Sequence, residues 1–235
     1  EEALRLAEKL MKFIKEESHR KSAEIGEEKG SFPNFQKSIW KGKYSAMRNA
    51  TVTTIAPTGS ISIIAGCSSG IEPIFAVSFI RNVLGGTRLF ETNPLFEIIA
   101  KERRFYSAKI LEEIAKTGSV QKIEDVPEDM KRLFVTALDI KPEWHIRMQA
   151  AFQKYTDNAV SKTVNLPTEA TIEDVRKTYD LAWKLKCKGA TVFRYGSKPE
   201  QVLYIGEIET KKKTFVTAES DYAGGCPTKT CPFPG

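Results

Sequence analysis

Apolar residues at three- and four-residue spacing open the chain: Leu6, Leu10, Met11 and Phe13 or Ile14 recur between charged residues, which predicts an amphipathic helix over residues 1–26. Gly30, Pro33 and Asn34 end it, and residues 31–48 read as a connecting loop anchored by Phe32, Phe35, Trp40 and Tyr44. The period then changes. Residues 51–55 are dominated by Thr, Val and Ile and predict a strand, which Pro57 stops because it has no N–H for a ladder. A short helix over 61–65 and irregular backbone over 66–73 follow.

Three further helices are predicted over 94–100, 107–117 and 127–133, the last with Pro127 in the first turn beside Glu128 and Asp129. Residues 118–126 link the last two. A longer helix over 141–159 opens at Pro142 and is periodic in Ile146, Ala150 and Tyr155. A strand over 162–166 ends at Pro167. Thr171 is a credible N-cap, with Asp174 three residues on, for a helix to Lys188 that Gly189 closes, and residues 190–194 form the next strand. Two strands joined by such a helix should be parallel, with a right-handed crossover. Past Val202 the hydrophobic period is lost in Gly, Lys, Thr, Glu and Pro, so the end of the chain reads as a tail.

With 235 residues and 41% apolar content, the chain is large enough for one sizeable core, or for a piece of a larger one. It opens inside a helix with no initiator Met, and it has neither a signal peptide nor an apolar run near the ~18 residues of a membrane span. The reading is a soluble, cytoplasmic protein. Four cysteines, Cys67, Cys187, Cys226 and Cys231, are too few to staple a domain of this size and fit a reducing compartment. The net charge of +6 suits an anionic ligand, yet only residues 211–213 form a compact basic run. Direct nucleic-acid binding is not expected without a basic stripe interleaved with aromatics.

The chemistry concentrates in TVTTIAPTGSISIIAGCSSGIEPIF, residues 51–75. Gly59 allows a sharp turn, Thr58, Ser60 and Ser62 carry hydroxyls, and a following helix would turn free N–H groups back on the loop, as phosphate sites do. Taken alone, P-T-G-S is equally a strand followed by an ordinary turn.

Three blocks occur in order: PTGSISIIAGCSSGIEPIF, HIRMQAAFQKYTDNAVSKTVNLP from His145, and AWKLKCKGATVFRYGS from Ala182, followed by a GGCPTKTC tail. Together they closely resemble the C-terminal part of class II, adenosylcobalamin-dependent ribonucleotide reductase. The resemblance implies an α/β fold, the C-terminal portion of a ten-stranded α/β barrel over 1–205, with a flexible redox tail over 206–235. It implies that Pro57, Thr58, Gly59, Ser60 and Ile61 hold the phosphates of a ribonucleoside di- or triphosphate. Cys226 and Cys231 would relay electrons from a thioredoxin-like reductant to a disulfide formed at each turnover, since a mobile tether supplies a high local thiol concentration. A zinc site there lacks further donors, because neither His19 nor His145 lies near in sequence.

The complete enzyme would bind adenosylcobalamin, act as a homodimer, and use a thiyl radical from an N-x-C-x-E loop. That loop does not occur in this sequence. An N-terminal portion carrying the radical cysteine is therefore an expected partner, and no activity is expected of this chain alone. Val192 and Phe193 stand where class I reductases carry a Tyr-Tyr pair, which favours the cobalamin class. Tyr195 departs from the family's commoner Asp and reads as a surface loop residue; Cys67 and Cys187 read as small hydrophobes. The alternative reading is a non-catalytic nucleotide- or phosphate-binding module derived from the same barrel. A glycyl-radical relative is weaker, for want of its C-terminal loop.

Overall fold

A computed structural model describes residues 1–82, 88–198, 203–204 and 215–217. Its helices are α1 (Glu2–Lys29), α2 (Gly59–Ala65), α3 (Pro94–Glu102), α4 (Ala108–Thr117), α5 (Glu128–Leu133), α6 (Pro142–Gln153) and α7 (Ile172–Lys184). Its strands are β1 (Ser78–Asn82), β2 (Arg88–Thr92), β3 (Thr163–Leu166), β4 (Thr191–Arg194), β5 (Leu203–Tyr204) and β6 (Phe215–Thr217). The chain divides into two compact units, one of Glu1–Pro57, Pro142–Val164 and Ala170–Phe193, the other of Thr58–Lys141, Asn165–Glu169 and Arg194–Gly235.

In the first unit α6 packs against both α1 and α7. The buried stripe of α1 is Ala7, Met11, His19, Ser22 and Gly26, whereas Leu6, Leu10 and Phe13 face outward. Of the expected apolar face, Met11 is buried as read, while Leu6, Leu10, Phe13 and Ile14 are exposed. Periodicity shows that a stripe exists; which stripe is covered depends on the partner. Here the covering segment is backbone: Arg48 N–H donates to Ser22 O (2.8 Å) and Asn49 N–H to Ser22 Oγ (3.1 Å). A Cβ on Gly26 would stand 2.7 Å from Met47 N, so only glycine lets this segment cross the helix. Phe35, Trp40 and Met47 form the adjoining core with Phe32 and Tyr44 against it, as the aromatic anchors led one to expect.

α6 ends at Gln153, short of the expected 159, and α7 at Lys184 instead of Lys188. Gly189 does not close α7, because Lys186 has already turned left-handed at φ 60°. Its start is as read: Thr171 and Asp174 form a reciprocal capping box. β3 and β4 pair as a two-stranded sheet on either side of α7 in sequence, with Val164 and Leu166 buried.

The second unit has its own core of Val77, Phe96, Ala100, Ile110, Ile114, Val120, Ile123, Val126, Met130 and Phe134. Helices α3, α4 and α5 lie where predicted, within two residues at each end. Asn93 caps α3 through Leu95 N–H and Phe96 N–H, Ser107 caps α4, and Gly118 ends α4 in the left-handed conformation. The sequence reading left β1 and β2 unassigned. They pair antiparallel, Ser78 opposite Thr92 and Ile80 opposite Phe90, inside a sheet of order β5-β1-β2-β6. β6 falls within the stretch 206–235 read as tail and runs parallel to β2. Among the described residues no helix is long and apolar enough to cross a membrane.

Candidate functional site

The segment 51–55 is extended, with a single parallel bridge between Ile55 and Val160 rather than a full strand. What holds it is the stretch just after α6. Asn158 N–H donates to Thr53 O (3.0 Å), Ile55 N–H to Ala159 O (3.3 Å) and Ser161 N–H to Ile55 O (2.8 Å). Asp157 adds a second kind of tie. Its carboxylate accepts Val52 N–H at 2.9 Å while its own N–H donates to Thr53 Oγ1 at 2.9 Å.

The Asp157 side chain is 3% exposed, and His19 Nε2 stands 3.0 and 2.8 Å from its two oxygens. A carboxylate only accepts, so Nε2 carries the proton. The His19 ring is wedged edge-on against Trp40, 4.7 Å between centroids, and Tyr44 at 6.3 Å. Lys15 Nζ lies 3.8 Å from the same carboxylate. Burial pushes the carboxyl up, but the Val52 N–H, His19 and Lys15 outweigh it and hold the group below its ordinary range.

Two residues further on the chain is exposed. Thr58 sits left-handed at φ 54°, ψ 26° as the residue before α2, which begins at Gly59 and not at the expected 61. The expected site residues Gly59, Ser60 and Ile61 therefore form the first turn of a seven-residue helix. Their N–H groups precede the first intrahelical acceptor, the earliest bond being Ser62 N–H to Thr58 O at 2.9 Å. Ser60 points to solvent, and a Cβ on Gly59 would meet nothing within 4 Å. Ser62 is buried and returns its hydroxyl to Gly59 O (2.8 Å), so of the candidate hydroxyls it is spent on the turn. Gly66, left-handed, closes the helix, with Cys67 N–H reaching back to Ser62 O.

Pro57 to Ile61 are thus contiguous in one turn. Cys226 and Cys231 lie outside the described residues. Cys67 is exposed, against the expectation of a buried small hydrophobe, because it follows the helix end directly. Cys187 is half-buried, and burial raises its thiol pKa. Val192 and Phe193 are half-buried on β4, and Tyr195 N–H donates to Leu166 O (2.9 Å). Within the first unit Lys162 Nζ stands 2.8 Å from His145 Nδ1, and Gln149 Nε2 bridges Val160 O (3.1 Å) and Gly189 O (2.7 Å). Among the described residues no three His, Cys, Asp or Glu side chains gather as metal donors. The sequence reading missed the roles of Asp157 and His19; the only signal was that Asp157 lies in the block YTDNAVSKTVNLP.

The chain resembles known proteins along nearly its whole length. It is 46% identical over 244 residues to the vitamin B12-dependent ribonucleoside-diphosphate reductase of Thermoplasma acidophilum, which covers 98% of this chain and 32% of that protein. It is 46% identical over 233 residues to the enzyme of the same name from Mycobacterium tuberculosis, covering 99% of this chain and 32% of the relative. It therefore spans about a third of the length of these curated relatives. Among solved structures, the alpha subunit of the class Id ribonucleotide reductase of Actinobacillus ureae superposes with a TM-score of 0.67 at 26% identity, over 82% of this chain and 34% of that one. The family model for the ribonucleotide reductase barrel domain matches residues 40–193, which include the exposed turn and its buried anchor, and the chain belongs to that family.

Proposed function

We propose that this chain is the C-terminal portion of an adenosylcobalamin-dependent ribonucleoside-diphosphate reductase, and that it supplies the turn holding the substrate phosphates. The observation that carries this is the 46% identity, over nearly the whole chain, to two reductases named for vitamin B12 and ribonucleoside diphosphates. The turn fits the task. Gly59, Ser60 and Ile61 present N–H groups that meet no acceptor among the described residues, Thr58 and Ser60 add hydroxyls, and the open space at Gly59 admits an anion to the backbone. Burial energy is not required of these residues, so they are free to be spent on a ligand.

The described residues form no donor set for a cobalt ion, and we assign them no part in holding the corrin. When bound by the complete enzyme, that cofactor supplies the radical from which the thiyl chemistry starts. The present chain binds and orients the nucleotide, and its Cys226 and Cys231 return electrons from a thioredoxin-like protein after each turnover. The partners are the portion carrying the N-x-C-x-E cysteine and a second copy of the complete enzyme, working in the cytoplasm.

Two experiments test this reading in the complete reductase. Ser60→Trp crowds the turn and should raise the apparent KM for a ribonucleoside diphosphate about tenfold, roughly 1.4 kcal/mol, with kcat little changed. An unchanged KM removes the phosphate assignment. Replacing Cys226 and Cys231 together by Ser should leave the first turnover intact and abolish later ones with thioredoxin, while a small dithiol that enters the site directly restores them. Loss of the first turnover, or full activity with thioredoxin, rejects the relay.

A further inference from the structure

We propose that the outer edge of β2 is the dock for the C-terminal tail, and that this dock sets how far Cys226 and Cys231 can reach. The inference rests on the relay reading of those two cysteines. β6 lies inside the stretch read as tail, yet its backbone pairs in parallel with β2, Phe215 opposite Arg88, Val216 opposite Leu89 and Thr217 opposite Phe90. β5 takes the other edge of the hairpin, with Leu203 opposite Arg81 and Tyr204 opposite Ile80 on β1. All four strands belong to one compact unit. A hairpin of two strands is marginal by itself and leaves two edges open, and β5 and β6 cover both.

The point at which the chain is last held decides the reach. Cys226 stands nine residues past Thr217 and 22 past Tyr204. At ~3.4 Å per residue, nine residues cannot span more than ~31 Å, so while the dock is made Cys226 serves only a disulfide within that distance of Thr217. Held at Tyr204 alone, the limit would be ~75 Å. Local concentration falls as about the −3/2 power of tether length, so the dock raises that of the tail thiols about fourfold. In the step served, one tail thiolate attacks a sulfur of the protein disulfide left by turnover, and the other tail thiolate displaces it from the mixed disulfide. Two electrons and two protons pass, the tail pair ends as a disulfide, and a thioredoxin dithiol reduces it again.

The test uses the complete reductase. In Val216→Pro/Thr217→Pro two adjacent N–H groups are gone, so whichever of them faces β2 is lost, while both cysteines remain. Fully reduced enzyme, given ribonucleoside diphosphate and no external reductant, makes one equivalent of product with its internal pair and a second after the tail pair has acted. In the variant the first equivalent should form as in the parent and the second about fourfold more slowly, and amide exchange across Arg88 to Phe90 should quicken. A second equivalent at the parent's rate or faster overturns the proposal, as does unchanged exchange on β2. A small dithiol should drive repeated turnover equally in parent and variant; loss of that turnover or of the first equivalent would make β6 part of the site's fold, which also overturns it. Cys226→Ser/Cys231→Ser separates the two readings. If that variant loses the second equivalent and the proline variant does not slow it, the dock fails by itself. If it still makes the second equivalent, the relay falls and takes the dock's role with it.

Discussion

Residues 52–55 and 58–61 are separated by only two residues and are physically opposite. The first stretch spends its hydrogen bonds on the segment after α6, and Thr53 is buried. In the second, Gly59, Ser60 and Ile61 are exposed, and among the described residues their N–H groups meet no backbone acceptor. A binding loop must leave polar groups unsatisfied in the free protein, and that is tolerable only in water and beside a firmly tied neighbour. The contrast extends to two glycines. Gly26 is required because Met47 backbone comes to 2.7 Å of where its Cβ would be; Gly59 has nothing within 4 Å. One glycine serves packing and the other leaves room.

The largest effect should come from breaking the tied side. Asp157→Ala leaves Val52 N–H and the buried His19 ring without their acceptor, and should cost about 3–5 kcal/mol, read as a fall in the chemical-denaturation midpoint. A loss under about 1 kcal/mol, the worth of a solvated surface pair, would contradict the burial argument. Gly26→Ala should follow at about 3 kcal/mol, since its Cβ meets backbone atoms that have nowhere to move. Gly59→Ala is the matched control on the open side. It should leave stability within about 0.5 kcal/mol of the parent and act on nucleotide KM instead. Were the two glycine variants equally destabilised, the distinction between the regions would be lost.

Much of the second unit could be read from sequence because its signals are local. Ser107, Gly118 and Pro127 mark the ends of α4 and the start of α5 within a few residues of what they act on, and the Thr171–Asp174 box does the same for α7. The anchor could not be read that way. Asp157 meets Val52 across 105 residues and His19 across 138, and no spacing rule joins positions so far apart. α1 failed for a different reason. Leu6, Leu10 and Phe13 are exposed although apolar, while Ser22 and Gly26 are buried because the backbone of Met47, Arg48 and Asn49 packs on them. The β1–β2 pair went unassigned although Phe79, Ile80, Leu89 and Phe90 flank a Gly-Gly pair, a fair hairpin signal.

The smallest expected effect is in pH dependence. A carboxylate held below its ordinary range contributes stability that is present at neutral pH and lost as pH falls below about 3.9 toward its lowered value. Asp174 and Asp129 are lowered as well, by Thr171 and by Arg103, so the parent alone does not isolate Asp157. The difference between parent and Asp157→Asn does. Stability of the parent should fall more steeply than that of the variant below pH ~4, and parallel curves would mean that Asp157 is not held in its charged form.

The most direct measurement is amide hydrogen exchange across residues 52–61 of the complete reductase, with and without saturating ribonucleoside diphosphate. The N–H groups of Val52 and Ile55 should be protected in both states, while those of Gly59, Ser60 and Ile61 exchange freely until the nucleotide is added and then slow markedly. Unchanged exchange at Gly59 to Ile61 under saturating nucleotide would contradict the assignment of this turn to the substrate phosphates.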